Sequence, residues 1–315
     1  MPPLTVAEGI ELVEARLAGL LSSREPLLTE VATYLVGSGG KRVRPAVTLL
    51  VYRACGGRER DDIVDMATAL ELIHSATLLH DDIIDDSAMR RGKASAHRRY
   101  GLGTTLVTGD FVFSRAFQVC GRFDEQVVAW AADACVSLTE GEIMQSRFRH
   151  NPAVTVDDYL EIISRKTASI FQQGARSAAY LARARPQLIE AVGRCGFNVG
   201  MTFQVVDDML DVAGTEARLG KPIGNDLRDG NPSLPMVLAM QRDPSLARFF
   251  ASRDPDDAAM IDALGRIRAT GVLDDIRVLA ASYAARALDC LDALPPSTDR
   301  DELVTLVQRL VDRAA

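Results

Sequence analysis

Apolar residues recur at helical spacing along most of the chain. Near the start, Ile10, Val13 and Leu17 follow one another every three or four positions, which places their side chains on one face of an α-helix. Near the end, a similar stretch follows Thr298 and Asp301, which are spaced as in a capping box. Short alternating stretches joined by hairpin turns, which would indicate strands, do not form a series. The pattern predicts an all-α fold with roughly ten or more helices.

Turn-forming residues divide these helical stretches without separating the chain into halves. Gly56-Gly57, Asn151-Pro152 and Pro295-Pro296 are typical breaks between helices. No Ser/Gly-rich tract, charge block or low-complexity segment forms a linker. We therefore expect residues 1–315 to form a single large helical domain.

Composition and net charge limit the cellular location that we expect for the protein and the classes of molecule that it binds. The chain is 47% hydrophobic, but no stretch approaches the roughly eighteen uninterrupted apolar residues of a membrane helix. Its net charge of −7 argues against nucleic-acid binding, so an anionic ligand would need local cations or metal ions. The five cysteines form no CxxC pair, and the N-terminus has no leader signal. We expect a cytoplasmic protein with reduced thiols.

The sequence DDIID, which begins at Asp81, is the strongest local sign of chemistry. On a continuing helix, Asp81 and Asp85 lie one turn apart on one face, with Asp82 beside them. Crowded carboxylates are costly in an apolar setting, and Mg²⁺ typically takes one or two carboxylates together with substrate phosphates. The alternative is a solvated acidic helix end, neutralised by Arg90 and Arg91.

The same spacing returns in the second half of the chain. Asp207, Asp208 and Asp211 end another apolar helical stretch as DDMLD. Two such motifs, each continuing an apolar helix, predict facing helices with carboxylates at the same level, as in metal sites of helical bundles. Metal ions held around one diphosphate would explain both motifs.

Basic residues supply candidate phosphate contacts. Lys41 and Arg44 follow a glycine-rich turn in GSGGKRVRP, where glycine allows a ligand to approach the backbone and the cations offer donors to phosphate. The spacing is not that of a P-loop, and a solvated basic turn is the alternative. Lys166 lies in a helical stretch and Lys221 follows a glycine. By themselves, these two lysines are equally compatible with an ordinary surface.

Together these segments resemble the trans-isoprenyl (polyprenyl) diphosphate synthase family. The matching segments are, in order, GGKRVRP (39–45), ELIHSATLLHDDIIDDSAMRRGK (71–93), GDFVFSRAF (109–117), EGEIMQ (140–145), KTASIF (166–171), FQVVDDMLD (203–211) and LGKPIGNDLRDG (219–230). The resemblance implies a helical bundle of the isoprenoid synthase type with a central cavity. It implies a Mg²⁺-dependent, head-to-tail condensation of isopentenyl diphosphate with an allylic prenyl diphosphate. It further implies a homodimer, with at most peripheral membrane contact.

The resemblance also implies roles for individual residues. The implied contacts to isopentenyl diphosphate are Lys41, Arg44, His74 and Arg91. The implied magnesium ligands are Asp81, Asp85 and Asp207, supported by Asp82, Asp208 and Asp211, and Asp226 helps to organise the metals. The implied contacts to the allylic diphosphate are Arg90, Lys166 and Lys221. Thr167 and Gln204 line the reacting region, so the predicted catalytic residues are Lys166, Thr167, Gln204 and Arg90. Many relatives carry lysine near position 231, and Asn231 puts that one contact in doubt.

The helix before the first motif bears on product length. Small residues, Ala76 and Thr77, lie five and four residues before Asp81, with Ile73 one turn deeper. Short-chain members of the family often have an aromatic residue at one of these two positions, 76 or 77, which closes the pocket. We therefore expect a long-chain, all-trans product of roughly thirty to fifty carbons. The alternative is a farnesyl or geranylgeranyl diphosphate synthase, in which Phe113 or Phe117 closes the tunnel.

Three other classes of protein are alternatives. A class I terpene cyclase shares the helical fold and one DDxxD motif but usually lacks the GGKRVRP site. An HD-type phosphohydrolase would use His74 and the His80-Asp81 pair, which leaves the second acidic motif unexplained. A non-catalytic subunit of a two-component synthase need not keep both acidic motifs, whereas this chain keeps both.

Overall fold

The structure is a computed structural model that describes residues 4–36, 40–90, 92–214 and 224–313. The elements are α1 (Val6–Leu20), α2 (Pro26–Val36), α3 (Val43–Ala54), α4 (Asp61–Ile84), β1 (Met89–Arg90), β2 (Lys93–Ala94), α5 (Ala96–Tyr100), α6 (Leu102–Cys120), α7 (Glu125–Phe148), α8 (Val156–Ile163), a π-helical turn (Ser164–Ala168), α9 (Ser169–Leu181), α10 (Pro186–Ala213), α11 (Asn225–Asp229), α12 (Leu234–Arg242), α13 (Leu246–Phe250), α14 (Asp257–Ala269), α15 (Val272–Leu291) and α16 (Thr298–Asp312). The all-α prediction is confirmed.

The chain divides into two compact units. The first unit consists of Met1–Cys135, Phe171–Gly193 and Leu291–Leu303. The second unit consists of Val136–Ile170, Arg194–Cys290 and Val304–Ala315. The first acidic motif belongs to the first unit and the second acidic motif to the second unit. The prediction of a single domain stays a prediction.

Helix α4 forms the centre of the first unit. Its side chains are buried on several faces, since Ile63, Met66, Leu70, Ile73 and Leu79 are all at most 1% exposed. Helices α1, α3 and α6 pack against it. A helix that is apolar around most of its circumference is stable only when neighbours cover it on all sides. The first acidic motif therefore extends from a fixed, buried helix.

Helices α4 and α6 approach closely at Gly109. A Cβ atom built on Gly109 would overlap the imidazole of His80. The Nε2 atom of His80 lies 3.2 Å from the carbonyl oxygen of Leu106 and 3.4 Å from a carboxylate oxygen of Asp110. Because a carbonyl oxygen only accepts hydrogen bonds, Nε2 carries the proton. His80 is thus a packed, hydrogen-bonded residue that fixes the helix just before Asp81.

The core of the second unit surrounds the second acidic motif. Apolar side chains from α8, α10, α12 and α15 meet in one cluster, including Tyr159, Val205, Met209, Met236 and Ile276. All five are at most 1% exposed. Because Val205 precedes the second motif on α10 and Met209 lies within it, burial of these side chains sets the direction in which the aspartates point.

A two-stranded antiparallel hairpin follows the first motif. Met89 pairs with Ala94, and Arg90 pairs with Lys93. Gly92 in its turn has a φ of +75°, a conformation that glycine adopts without steric cost. Strands this short give no recognisable alternation in sequence, and this hairpin was not predicted.

The N-terminal cap of the last helix differs from the prediction by one residue. Helix α16 begins at Thr298, and the hydroxyl of Ser297 accepts a hydrogen bond from the amide of Arg300 at 3.2 Å. Ser297 is therefore the capping residue, and the predicted capping box of Thr298 and Asp301 is wrong. Serine and threonine are both favourable caps, so adjacent candidates are not distinguished by sequence.

The described residues contain no helix that is long and apolar enough to cross a membrane. All five cysteines lie in described ranges and are not joined in disulfides. Burial raises the pKa of Cys195 to about 12 and that of Cys120 to about 11. Few of these thiols are ionised at neutral pH, so they are not reactive nucleophiles.

The contact between α4 and α6 makes Gly109 sensitive to substitution. Gly109→Ala is expected to lower the free energy of unfolding by about 1–3 kcal/mol, because the new methyl group would displace His80. Urea unfolding followed by circular dichroism measures this change.

Gly103 on the same helix provides the control, since a Cβ there meets no atom within 4 Å. Gly103→Ala is expected to leave stability unchanged or raise it by up to about 1 kcal/mol. Equal effects of the two substitutions would contradict this account of the α4–α6 contact.

Candidate active site

The aspartates of the first motif divide into two groups. Asp81 and Asp85 are partly exposed, whereas Asp82 is fully buried. One carboxylate oxygen of Asp82 accepts hydrogen bonds from Nε of Arg90 at 2.7 Å and from Nη2 at 2.6 Å. Burial raises the pKa of Asp82, and the positive charge of Arg90 opposes this effect. Asp82 therefore orients Arg90, and Asp81 and Asp85 are left as the accessible carboxylates.

A fourth aspartate, Asp86, follows directly and has a different role. It lies beyond the end of α4 at a φ of +49° and is exposed. Its carboxylate lies 3.3 Å from Nε2 of His97 and 2.8 Å from a guanidinium nitrogen of Arg98. Asp86 therefore belongs to a surface ion-pair cluster on the turn after the motif.

The basic loop is held in place by Arg42, which lies between the two predicted ligands. Arg42 is 6% exposed and has a φ of +45° at the start of α3. Its guanidinium forms ion pairs with Glu14 on α1 and Glu71 on α4, and donates to the carbonyl of Val36 at 3.2 Å. These contacts attach the loop to three helices and compensate the cost of burying the charge.

The predicted contacts to isopentenyl diphosphate lie around this anchor. Lys41 is exposed, and Arg44 is half-buried, with its guanidinium carbon 5.1 Å from the centre of the Phe171 ring. Helix α3, which carries Arg44, packs against α4, which carries the half-buried His74. Arg91 lies outside the described residues.

In the second unit, the EGEIMQ segment of α7 holds Lys166. The ammonium group of Lys166 donates to the side-chain oxygen of Gln145 at 2.7 Å and forms an ion pair with Glu142. Gly141 allows this close approach, since a Cβ at that position would lie 2.6 Å from the backbone nitrogen of Lys166. Lys166 is thus positioned by α7, with 22% of its side chain exposed.

Lys166 and Thr167 lie in a π-helical turn, Ser164–Ala168, between α8 and α9. The amide of Ser169 donates to the carbonyl of Ser164, five residues earlier. Such turns are frequent at functional sites because they alter the direction of side chains within a continuing helix. Here Lys166 contacts α7 and Thr167 contacts α10.

Thr167 and Gln204 are in contact, as expected if they line one region. The hydroxyl of Thr167 donates to Oε1 of Gln204 at 3.0 Å, and Nε2 of Gln204 donates to Asp208 at 2.7 Å. The other oxygen of Asp208 accepts from the hydroxyl of Tyr159 at 2.8 Å and from the amide of Leu234 at 3.3 Å. Burial raises the pKa of Asp208 to about 7. The second aspartate of this motif, like Asp82, is directed into the protein.

The other two aspartates of the second motif differ in exposure. The side chain of Asp207 is 36% exposed and lies 3.6 Å from a guanidinium nitrogen of Arg313. Asp211 is 2% exposed and accepts from the amide of Asp226 at 3.3 Å. Asp211 therefore joins α10 to the start of α11, and Asp207 is the accessible carboxylate. Lys221 lies outside the described residues.

Asn231, the one departure expected from the family resemblance, is buried at 6% exposure. Its side-chain oxygen accepts a hydrogen bond from Nε of Arg149 at 3.3 Å. Its backbone amide donates to the carbonyl oxygen of Asp226 at 2.8 Å. A guanidinium therefore lies next to position 231, although the residue at that position is neutral.

The donor groups fit a magnesium ion bound together with substrate. No three His, Cys, Asp or Glu side chains surround a common point among the described residues. Mg²⁺ usually keeps several waters and takes one or two carboxylates plus phosphate oxygens. Asp81, in the last turn of α4, and Asp85, which caps its C-terminal end, are four residues apart and partly exposed, and they suit that requirement. In the second unit, Asp207 on α10 is the carboxylate that suits it.

Several positioning residues were not predicted from the sequence. Glu142 and Gln145 lie in a segment that carries the family resemblance, which was an available signal, but no role was assigned to them. Arg42 lies between Lys41 and Arg44, the two predicted ligands of the basic loop, but no anchoring role was predicted for it. Tyr159 gave no signal, because a tyrosine within an apolar stretch is indistinguishable from a core residue.

Comparisons with known proteins show the family to which the chain belongs. A model of the polyprenyl synthetase family matches residues 25–266. The chain is 35% identical over 298 residues to the all-trans-nonaprenyl-diphosphate synthase (geranyl-diphosphate specific) of Rhodobacter capsulatus, covering 93% of this chain and 91% of that protein.

Two solved structures extend the comparison to the fold. Heptaprenyl diphosphate synthase from Staphylococcus aureus has a TM-score of 0.92 and 30% identity over 99% of both chains. Polyprenyl synthase from Caulobacter crescentus, complexed with calcium and isoprenyl diphosphate, has a TM-score of 0.90 and 34% identity over 100% of both chains. Since the family match covers most of the sequence and the fold agrees throughout, this chain belongs to the polyprenyl synthetase family and is a trans-prenyltransferase.

Proposed function

We propose that this enzyme joins isopentenyl diphosphate to an allylic prenyl diphosphate, head to tail, with Mg²⁺ and release of diphosphate. The observation that carries the proposal is that each unit has an acidic motif with accessible carboxylates, and that the first unit adds an anchored basic loop. Each motif keeps accessible carboxylates, Asp81 and Asp85 in one and Asp207 in the other. The loop presents Lys41 and Arg44 on either side of the buried Arg42.

In the proposed reaction, the allylic carbon–oxygen bond breaks first. Bound Mg²⁺ would stabilise the negative charge of the leaving diphosphate. Arg90 and Lys166 hold that diphosphate, and each is already oriented by a protein carboxylate. Such preorganised charge needs little rearrangement when the transition state forms.

The second substrate then reacts with the allylic cation. Lys41 and Arg44 hold isopentenyl diphosphate, whose double bond supplies the electron pair of the new carbon–carbon bond. Oxygen atoms of Thr167 and Gln204 lie at the reacting region and favour the positive charge. A proton leaves the condensed product for the released diphosphate, so no histidine base is required, in keeping with the packed position of His80.

The purified chain, given Mg²⁺, isopentenyl diphosphate and dimethylallyl, geranyl, farnesyl or geranylgeranyl diphosphate in parallel, is expected to form longer prenyl diphosphates. Asp85→Asn should lower the rate on the order of 100-fold, because a metal ligand that stabilises the leaving group is lost. Product formation is followed by mass spectrometry across a range of Mg²⁺ concentrations.

Asp86→Asn is the matched control, since Asp86 forms surface ion pairs with His97 and Arg98. It should keep the rate within about twofold. Failure of the unaltered chain to condense any primer would disprove the proposed function for the isolated chain and favour the partner-subunit alternative. Phosphate release from nucleotides would favour the phosphohydrolase.

We further propose a long-chain product. Ala76 and Ile73 are at most 1% exposed on α4, and the hydroxyl of Thr77 donates to the carbonyl of His74 at 2.8 Å. No aromatic ring therefore occupies the positions five and four residues before Asp81. Phe117 is 40% exposed, which argues against this residue as a plug for a growing chain.

The expected product has roughly thirty to fifty carbons, and larger residues at Ala76 should shorten it step by step. Ala76→Val is expected to shift the product distribution slightly, and Ala76→Phe to stop elongation several units earlier. Mass spectrometry of the products, with thermal unfolding to confirm that each variant is folded, tests this. An unchanged product from folded Ala76→Phe would refute the proposed path along α4. A stop at fifteen or twenty carbons in the unaltered enzyme would indicate the short-chain alternative.

We also propose that the enzyme is a homodimer formed through α6. Its exposed face carries Leu102, Leu106, Val107 and Phe117, which are 58%, 44%, 56% and 40% exposed. Several large apolar side chains exposed on one helix are unfavourable in water, and exposed apolar patches mark interaction sites. A second copy of α6 would cover this face, as two-fold dimers pair identical surfaces.

Val107→Glu is therefore expected to convert the dimer into monomers, because a buried charge opposes association. Analytical ultracentrifugation measures the mass. Val278→Glu is the control, since Val278 is 70% exposed on α15 and should leave the dimer intact. A monomer in the unaltered protein, or a dimer that tolerates Val107→Glu, would disprove this interface.

A further inference from the structure

We propose that Tyr159 is a positioning residue for prenyl transfer: acting through Asp208, it fixes the amide of Gln204 so that the amide oxygen faces Thr167. The inference rests on the proposed function, since it assigns a role in that reaction to a residue outside the recognised motifs. Four side chains form a continuous chain of hydrogen bonds within the second unit.

The direction of each hydrogen bond follows from chemistry. The backbone amide of Leu234 can only donate, so the oxygen of Asp208 that it contacts is an acceptor, and the hydroxyl of Tyr159 donates to the same oxygen. Gln204 turns its NH₂ group toward the other oxygen of Asp208, at 2.7 Å. Its carbonyl oxygen is thereby directed to Thr167, whose hydroxyl donates to it at 3.0 Å. The orientation of the amide is set by Asp208 rather than by Gln204 itself.

Burial makes Tyr159 difficult to replace as a donor. Tyr159 is 1% exposed and Asp208 4% exposed, so water has little access to the carboxylate. The tyrosine ring packs in the apolar cluster of the second unit, and its hydroxyl is 2.8 Å from Asp208. A buried acceptor that loses its donor must reorient or take another partner. Without the tyrosine hydroxyl, that oxygen of Asp208 keeps only the longer hydrogen bond from the amide of Leu234, at 3.3 Å. The carboxylate can then turn, and the amide of Gln204 that is bound to it would turn as well, which would change what Thr167 meets.

Both ends of this chain of hydrogen bonds lie on one continuous stretch of helix, formed by α8 and the π-helical turn that follows it. Helix α8 begins with a capping box in which Thr155 and Asp158 bond reciprocally, at 3.1 and 3.0 Å. Tyr159 follows directly, and the π-helical turn with Thr167 continues from the end of α8. Gln204 and Asp208 are four residues apart on α10, on one face. Two contacts between the same pair of elements therefore fix Gln204 relative to Thr167.

The arrangement leaves oxygen atoms directed at the reacting region. With its NH₂ group bound to Asp208, Gln204 presents only its carbonyl oxygen beside the oxygen of Thr167. Partial negative charges of this kind stabilise a developing allylic cation when they are held in place before the reaction. A rotated amide would present N–H groups, with the opposite sign.

Tyr159→Phe tests the inference, because it removes one oxygen atom and keeps the ring. The expected result is a fall in kcat of about tenfold, with the KM of both substrates and the half-saturating Mg²⁺ concentration within about twofold of the unaltered enzyme. Tyr283→Phe is the matched control: Tyr283 is 9% exposed in the same cluster, and its hydroxyl should not affect kcat. Each variant is assayed below its own unfolding midpoint.

A double mutant separates positioning from general destabilisation. In a Gln204→Leu background, Tyr159→Phe should lower kcat by less than about twofold, because the group it positions is gone. An equal loss of kcat in both backgrounds would overturn the inference, as would an unchanged kcat for Tyr159→Phe in an otherwise active enzyme. Inactivity of the unaltered chain would instead disprove the proposed function itself.

Discussion

Placing several negative charges at the end of a buried helix costs free energy, and the arrangement of side chains around both acidic motifs depends on how this cost is reduced. The two motifs reduce it in the same way. The second aspartate of each, Asp82 or Asp208, turns into the protein and is held by Arg90, or by Tyr159 and Gln204. Mutual repulsion is reduced, since the adjacent carboxylates no longer point to the same place. What remains accessible suits a divalent cation that brings phosphate oxygens with it.

The same constraint explains how the positive groups are arranged. Lys166 is paired with Glu142, and Arg90 with Asp82, in the absence of any substrate. Each ion pair fixes the position of the cation, while the carboxylate neutralises part of the positive charge of that cation. A dianionic diphosphate, assisted by metal ions, competes well for a lysine that is 22% exposed. The side chains of Lys166 and Arg90 are thus oriented before substrate binds. Preorganised sites gain most of their catalytic effect from charges that need not be rearranged during the reaction.

Sequence patterns predict what is local and leave out what is not. The all-α class and the placement of Asp81 one turn before Asp85 follow from helical periodicity. The contact of Thr167 with Gln204 agrees with the family resemblance. The ion pair of Arg42 with Glu71 could not be predicted from sequence, because a helical pattern indicates which face is buried but not which charge on another helix lies opposite. The π-helical turn is equally hidden, since its residues have no distinctive propensity. Side-chain orientation within each motif depends on these distant partners, so the inward turn of Asp82 was not foreseeable.

Position 231 shows how far a departure from the family pattern can be judged from sequence. By itself, Asn231 suggests the loss of a positive charge near the allylic diphosphate. In the folded protein, the side chain is buried and its oxygen accepts from Arg149. A lysine at this position would place a second cation against that guanidinium, which is unfavourable at short range. Asn231 therefore accepts from Arg149 where a lysine could not, and a positive charge lies next to position 231 although the residue there is neutral.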